Sequence, residues 1–314
     1  MFPLTGGLYL GWALGANDAA NVFGTAVASR IISFRNAAIL CSAAVITGAI
    51  LQGRGGIHTL SALTHQTHMT LLVVSLAAAV TVTLMTFMRL PISTSQAIVG
   101  AIAGIGLSTG SMQWDGLVKV VICWVATPIG AMIIAFIFYK LLGVFIRHAP
   151  MSILTRDKIL WGGLLLVGIY GSYALGANNV ANATGIFSGQ FPGISDRHLA
   201  VFGGLAIAAG VLTYSKRVML AVGSGVMHLD AFTAFVAVSA MSVTVHIFAV
   251  IGVPVSTSQA IIGAIIGIGT VRGIHNIKFR YLRNIGFGWL LTPLIALILS
   301  SSGYAIFCIA KTQI

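Results

Sequence analysis

Leu14-Gly15-Ala16-Asn17-Asp18-Ala19-Ala20-Asn21 places two amides and a carboxylate inside a run that is otherwise apolar. The chain repeats the phrase at Leu175-Gly176-Ala177-Asn178-Asn179-Val180-Ala181-Asn182, with Asn179 in the place of Asp18 and the other polar positions kept in type. A second motif, Pro91-Ile92-Ser93-Thr94-Ser95-Gln96-Ala97, returns as Pro254-Val255-Ser256-Thr257-Ser258-Gln259-Ala260. A third, Trp124 with Thr127-Pro128, returns as Trp289 with Thr292-Pro293. The offsets are 161, 163 and 165 residues. Three motifs in one order at nearly one spacing mark an internal duplication. Residues 1–142 form the first repeat, 143–158 a basic linker and 159–314 the second repeat.

The surrounding composition fixes the class. Of 314 residues, 58% are hydrophobic and only 7% charged, against roughly 25% charged in soluble domains. Mean hydropathy is +1.01. Several segments approach the roughly 20 apolar residues that cross about 30 Å of hydrocarbon. A membrane β-barrel would instead alternate in short strands. The chain therefore reads as an all-α polytopic membrane protein with the lipid bilayer as its solvent, and it leaves room for a homo-oligomer. The net charge of +12 comes from scattered bases without interleaved aromatics, which argues against a nucleic-acid partner and for loop charge at a membrane face. Cys41, Cys123 and Cys308 lack ligand spacing and read as small core residues. Met1 to Gly15 has no basic n-region, so no cleavable signal is evident.

Apolar runs follow at roughly 37–53, 69–88, 92–110 and 117–142, and the second half repeats them, giving five segments per half. An odd number reverses the second half, which predicts an inverted-topology repeat. If every segment crosses, thirteen basic residues, Arg89 and Lys278 among them, collect on one face and four on the other. The richer face is then cytoplasmic and both termini are external. As helix, Leu4 to Ala16 would be only about 20 Å long. The chain is therefore predicted to break at Gly15–Asn17 inside the bilayer, with broken or re-entrant helices meeting at the midplane.

The motifs themselves suggest chemistry. Proline followed by hydroxyl residues is a helix start, and a helix N-terminus inside a membrane offers free N–H groups and about half a positive charge. Two such ends, with the hydroxyls of Ser93, Thr94, Ser95, Ser256, Thr257 and Ser258, suit a tetrahedral oxyanion. The plainer alternative is two helix starts whose hydroxyls cap their own backbones. Asn17, Asn21, Asn178, Asn179 and Asn182 offer amide oxygens and Asp18 a full charge, a set suited to a hard monovalent cation. An intramembrane carboxylate is costly and therefore a functional candidate. Amide-mediated helix contact explains the small residues around it but gives no reason for Asp18.

Both motifs, their order and their duplication make the chain similar to the inorganic phosphate transporter family, over roughly residues 8–310. That resemblance implies inverted repeats with phosphate and Na+ bound between them, and transport of phosphate with Na+ or H+. By position, the hydroxyls of both Pro-Ser-Thr-Ser segments, with Gln96 and Gln259 beside them, would hold phosphate. Asp18, Asn21, Asn179 and Asn182 would lie at adjoining Na+ sites. The chain departs from the family in having Asn179 for the second Asp, Gln96 and Gln259 where His is common, and Val45 and Val238 where many members carry glutamate.

The leading expectation is a secondary transporter, favouring Na+ over H+, in which one repeat-related bundle rocks against the other. A permease of the same fold for another oxyanion, such as sulfate, is the alternative. No His-Glu-x-x-His, Gly-x-Ser-x-Gly or aspartate dyad is present, so the chain is not expected to be an enzyme. His246, near the middle of a membrane run, is a proton-carrier candidate, but a histidine bonded to a neighbouring helix is the better reading. His65 and His68 read as surface histidines.

Overall fold

The computed structural model describes residues 2–87, 92–148, 150–222, 230–273 and 279–312. Arg89, Pro91 and Lys278 therefore lie outside the described residues. The first half contributes α1 (Leu4–Ala28), α2 (Phe34–Gln52), α3 (Arg54–Ser61), α4 (His68–Phe87), α5 (Thr94–Thr109) and α6 (Trp114–His148). The second contributes α7 (Ile153–Thr184), α8 (Asp196–Thr213), α9 (Ser215–Val222), α10 (Ala231–Ile251), α11 (Thr257–Arg272) and α12 (Phe279–Thr312). Helices six apart in this order correspond, closely matching in length except that α7 has 32 residues against 25 in α1. Two short helices, α3 and α9, raise the count per half from the five apolar segments to six. Much of the expected linker is helical too, since only residues 149–152 separate α6 from α7.

The expected break at Gly15–Asn17 does not occur. α1 runs unbroken for 25 residues, about 37 Å at 1.5 Å per residue, and α7 is equally continuous through Gly176 and Asn178. The glycines serve close packing instead. A Cβ on Gly15 would collide with the backbone of Ile207 in α8, and one on Gly176 with the backbone of Val45 in α2. Small residues let helices approach in lipid, where no hydrophobic drive holds them together. The helices that begin inside the protein are α5 and α11, each of 16 residues and so about 24 Å long, too short to span. Ser93 and Ser256, their N-caps, are both buried.

Pairing across the halves organises the bundle. α1 packs on α8 and α7 on α2, while α5 packs on α12 and α11 on α6. Gly100 in α5 meets the Pro293 backbone, and Gly263 in α11 meets the Pro128 backbone. The repeated Trp…Thr-Pro motif is thus the surface on which the other half's short helix is clamped. A sequence half is therefore not a separate bundle. The spatial groups are α1, α2, α3, α7, α8 and α9 in the middle, with α4, α5 and α12 on one flank and α6, α10 and α11 on the other.

Polarity is reversed relative to a soluble core. Val118, Ile122, Val125, Ile129, Ile133 and Ile137 form an exposed stripe along α6, and Leu76, Val80 and Leu84 do so on α4. Six of the described helices are long and apolar enough to cross a membrane. The protein is a multi-pass helical membrane protein.

The close crossings give a paired expectation. Gly263→Val, which would force a side chain into the Pro128 backbone, should destabilise the protein by about 1–3 kcal/mol through overpacking, lowering the melting temperature in detergent. Gly162→Ala, where a Cβ meets nothing within 4 Å, should be neutral or stabilising by up to about 1 kcal/mol. Equal melting of the two variants would contradict the crossing.

Candidate functional site

Each short helix opens in the same way. Ser93 leaves the helix in extended conformation and its Oγ accepts from the Gln96 N–H at 3.3 Å. Ser256 does the same for Gln259 at 3.2 Å. Self-capping therefore accounts for the first hydroxyl of each triplet. It does not account for the next two, which reach out of their own helix.

Those hydroxyls meet the amides of α1 and α7 in a crossed pattern. Asn21 in α1 donates to Ser258 Oγ in α11 at 3.1 Å and, more weakly, to Thr257 Oγ1 at 3.4 Å. Asn182 in α7 donates to Ser95 Oγ in α5 at 2.9 Å. These are the same contact in the two repeats, since Asn21 corresponds to Asn182 and Ser258 to Ser95. Ser95 in turn donates to the Val255 carbonyl at 3.0 Å, joining the two short-helix tips. Both tips, one from each half, thus converge on one place between α1 and α7.

Asp18 sits at that place and is only 2% exposed. Its Oδ2 accepts from Asn179 Nδ2 at 3.1 Å and from Thr94 Oγ1 at 3.4 Å, and the Thr257 hydroxyl also faces it. No Lys, Arg or His pairs with it among the described residues. A buried carboxylate held only by neutral donors is undercompensated, because desolvation of the charge is offset in part but not cancelled by such bonds. Asn182 Oδ1 is buried without a hydrogen-bond partner, as are Gln96 Oε1 and Gln259 Oε1 in the first turns of α5 and α11. Unpaired buried acceptors cost about 1–3 kcal/mol each. The Asp18 carboxylate and the Asn182 oxygen, linked through Asn179, are ligand types that fit a hard monovalent cation. The helix ends and hydroxyls beside them fit an anion.

Two expected site residues have other duties. Asn17 is half-buried and donates to Thr86 in α4 at 3.4 Å, away from the convergence. Asn178 clamps the peptide of Val255, donating to its carbonyl at 2.7 Å and accepting from its N–H at 3.0 Å. The remaining residues, Asp18, Asn21, Asn179, Asn182 and the two hydroxyl triplets, come together. Val255 contributes only through its backbone, which no side-chain pattern could announce. Val45 and Val238 are buried apolar residues. His246 bonds Gln52 through one ring nitrogen and Tyr170 through the other, each at 2.7 Å. Neither partner belongs to a motif. The first repeat holds the equivalent contact as Tyr9 with Thr83 at 2.8 Å, so His246 occupies a helix-packing position. His65 and His68 are exposed, and no group of three or more His, Cys, Asp or Glu side chains placed to hold a metal ion occurs among the described residues.

Comparison with known proteins gives the geometry a context. The description Phosphate transporter family matches the chain twice, over residues 14–162 and 155–300, once for each half. A Methanocaldococcus jannaschii protein named "Putative phosphate permease" is 32% identical over 291 residues, covering 93% of this chain and 92% of that one. The Arabidopsis thaliana inorganic phosphate transporter 2-1, chloroplastic, is 25% identical over 400 residues, covering 91% of this chain and 68% of its own. A solved structure titled "The sodium-dependent phosphate transporter" superposes with a TM-score of 0.88 at 23% identity, covering 98% of this chain and 100% of that one. The fold is the same.

The Asn178 clamp is directly testable. Asn178→Ala would leave the Val255 N–H and carbonyl without that partner, at about 1–3 kcal/mol per group. We expect a lower melting temperature and faster hydrogen exchange over residues 253–258. Unchanged exchange in that segment would contradict the clamp.

Proposed function

Because the chain belongs to the phosphate transporter family, we propose that it imports inorganic phosphate across the cell membrane with a coupled cation, Na+ in preference to H+. The observation that carries this reading is the convergence of two capped helix tips, one from each repeat, on a single buried carboxylate. The anion is held by the hydroxyls of Ser93, Thr94, Ser95, Ser256, Thr257 and Ser258, by Gln96 and Gln259, and by free N–H groups of the first helical turns. No lysine or arginine lies in either motif, so the charge of phosphate is balanced by the co-bound cation. That cation sits against Asp18, with the oxygens of Asn21 and Asn182 beside it; Asn179 takes part by orienting Asp18, its own oxygen being occupied by Asn178 and Asn182. Na+ is preferred because the acceptor without a partner on the cation side, Asn182 Oδ1, is an amide oxygen, which can ligate a metal ion but cannot take up a proton at ordinary pH.

Occupancy then drives alternating access. With neither ligand bound, Asp18 and the two helix ends are undercompensated. With both bound, the cation pairs with Asp18 and the anion with the helix ends, which favours closure over the site. A ligand shifts such an equilibrium only by binding one state better than the other. Since the halves interlock, the moving bodies are the spatial groups and not the repeats: the α4–α5–α12 and α6–α10–α11 flanks move against the middle. We further propose that residues 1–142 and 159–314 are inverted repeats, with the more basic face cytoplasmic and both termini outside.

Asp18→Asn should abolish cation-driven phosphate uptake in proteoliposomes while leaving the melting temperature within a few degrees of the parent. Uptake at the parent rate under the same Na+ gradient would overturn the proposed role of Asp18.

A further inference from the structure

Asp18 and Asn179 occupy the same position in the two repeats and touch each other, with Asn179 Nδ2 donating to Asp18 Oδ2 at 3.1 Å. Both side chains are buried. Much of the site is duplicated: the capped tips, the hydroxyl triplets, the crossed Asn21–Ser258 and Asn182–Ser95 bonds. The charge is not, since Asn179 stands where the first repeat has Asp18. Two carboxylate oxygens at this separation in a water-poor interior would repel strongly and would need a second positive charge between or beside them. The Asn179 amide removes that need. Its N–H fills the space beside Asp18 with a fixed partial positive charge, and its own Oδ1 is occupied by Asn178 Nδ2 at 2.6 Å and Asn182 Nδ2 at 3.3 Å. With its oxygen already accepting two bonds and its N–H pointed at Asp18, Asn179 is a poor ligand for a second cation.

We propose that Asn179 sets the charge stoichiometry of transport: its amide stands in for a second coupling cation, so that one monovalent cation, held at Asp18, accompanies each phosphate. This rests on the cation-coupled phosphate reading and adds to it the number of charges moved. The consequence is electrical. One monovalent cation with one monovalent phosphate carries no net charge through a cycle, so the membrane potential neither drives nor opposes accumulation.

The test measures equilibrium accumulation of labelled phosphate in proteoliposomes under a fixed Na+ gradient. The potential is clamped with K+ and valinomycin, at a pH where phosphate is mainly monovalent. For the parent protein, the accumulation ratio is expected to ignore the potential, and the ratio of labelled Na+ to labelled phosphate taken up is expected to be one. Asn179→Asp restores the second carboxylate and is expected to make accumulation rise with an inside-negative potential and the Na+ dependence of the rate turn from hyperbolic to sigmoidal. Parent accumulation that rises with inside-negative potential, or two Na+ per phosphate, overturns the inference while leaving phosphate transport intact. A transporting Asn179→Asp variant with parental stoichiometry overturns it as well. The parent measurement decides the matter alone if that variant does not fold. No phosphate accumulation under either a Na+ or a proton gradient overturns the proposed function and this inference with it.

Discussion

A single carboxylate, buried between two crossing helices and held by neutral donors, is the constraint to which the rest of the fold answers. Removing such a group from water costs several kcal/mol, which neutral hydrogen bonds offset only in part. Asp18 therefore requires its neighbours in place: Asn179 from the facing helix and Thr94 from the tip of α5. To deliver them, α1 and α7 must cross closely, and two short helices must end inside the protein with their N-termini turned inward. The glycine contacts, the clamps on Pro128 and Pro293 and the interleaved repeats all serve that requirement.

Duplication alone does not make a site; interlocking does. Had each half folded on itself, the hydroxyl triplets would meet only their own Asn-rich helix, as Thr94 meets Asp18. Instead Asn21 reaches α11 and Asn182 reaches α5, so each half completes the other. The arrangement also explains why the repeated Thr-Pro segments persist far from the polar motifs. They form the seats for Gly263 and Gly100, and so set how deep each tip lies. A displacement of one flank would move one tip relative to the middle group, which ties occupancy of the site to the conformation of the bundle.

The sequence carried the helical membrane class and the duplication, because both depend on composition and on order. It carried the site through residue types that lipid makes expensive: Asp18, the amides and the two hydroxyl triplets. It failed where one residue type has two uses. Gly15 beside Asn17 reads as a helix break, but here the glycine admits the Ile207 backbone and α1 continues. Asn17 and Asn178 share a motif position, yet one bonds Thr86 and the other clamps Val255. Periodicity shows neither difference, because both depend on what lies across the interface. The pairing of α5 with α12 and of α11 with α6 was similarly hidden, since interleaved and separate repeats share one hydropathy pattern.

The central claim is that anion and cation occupy one coupled site. Linkage then requires each ligand to raise the affinity for the other by the same factor. Equilibrium binding of labelled phosphate to the purified protein, at constant pH and ionic strength with Na+ exchanged stepwise for choline, tests this most directly. The account expects phosphate affinity to climb with Na+ and to level off once the cation site is filled. Phosphate affinity that is the same in Na+ and in choline would contradict it.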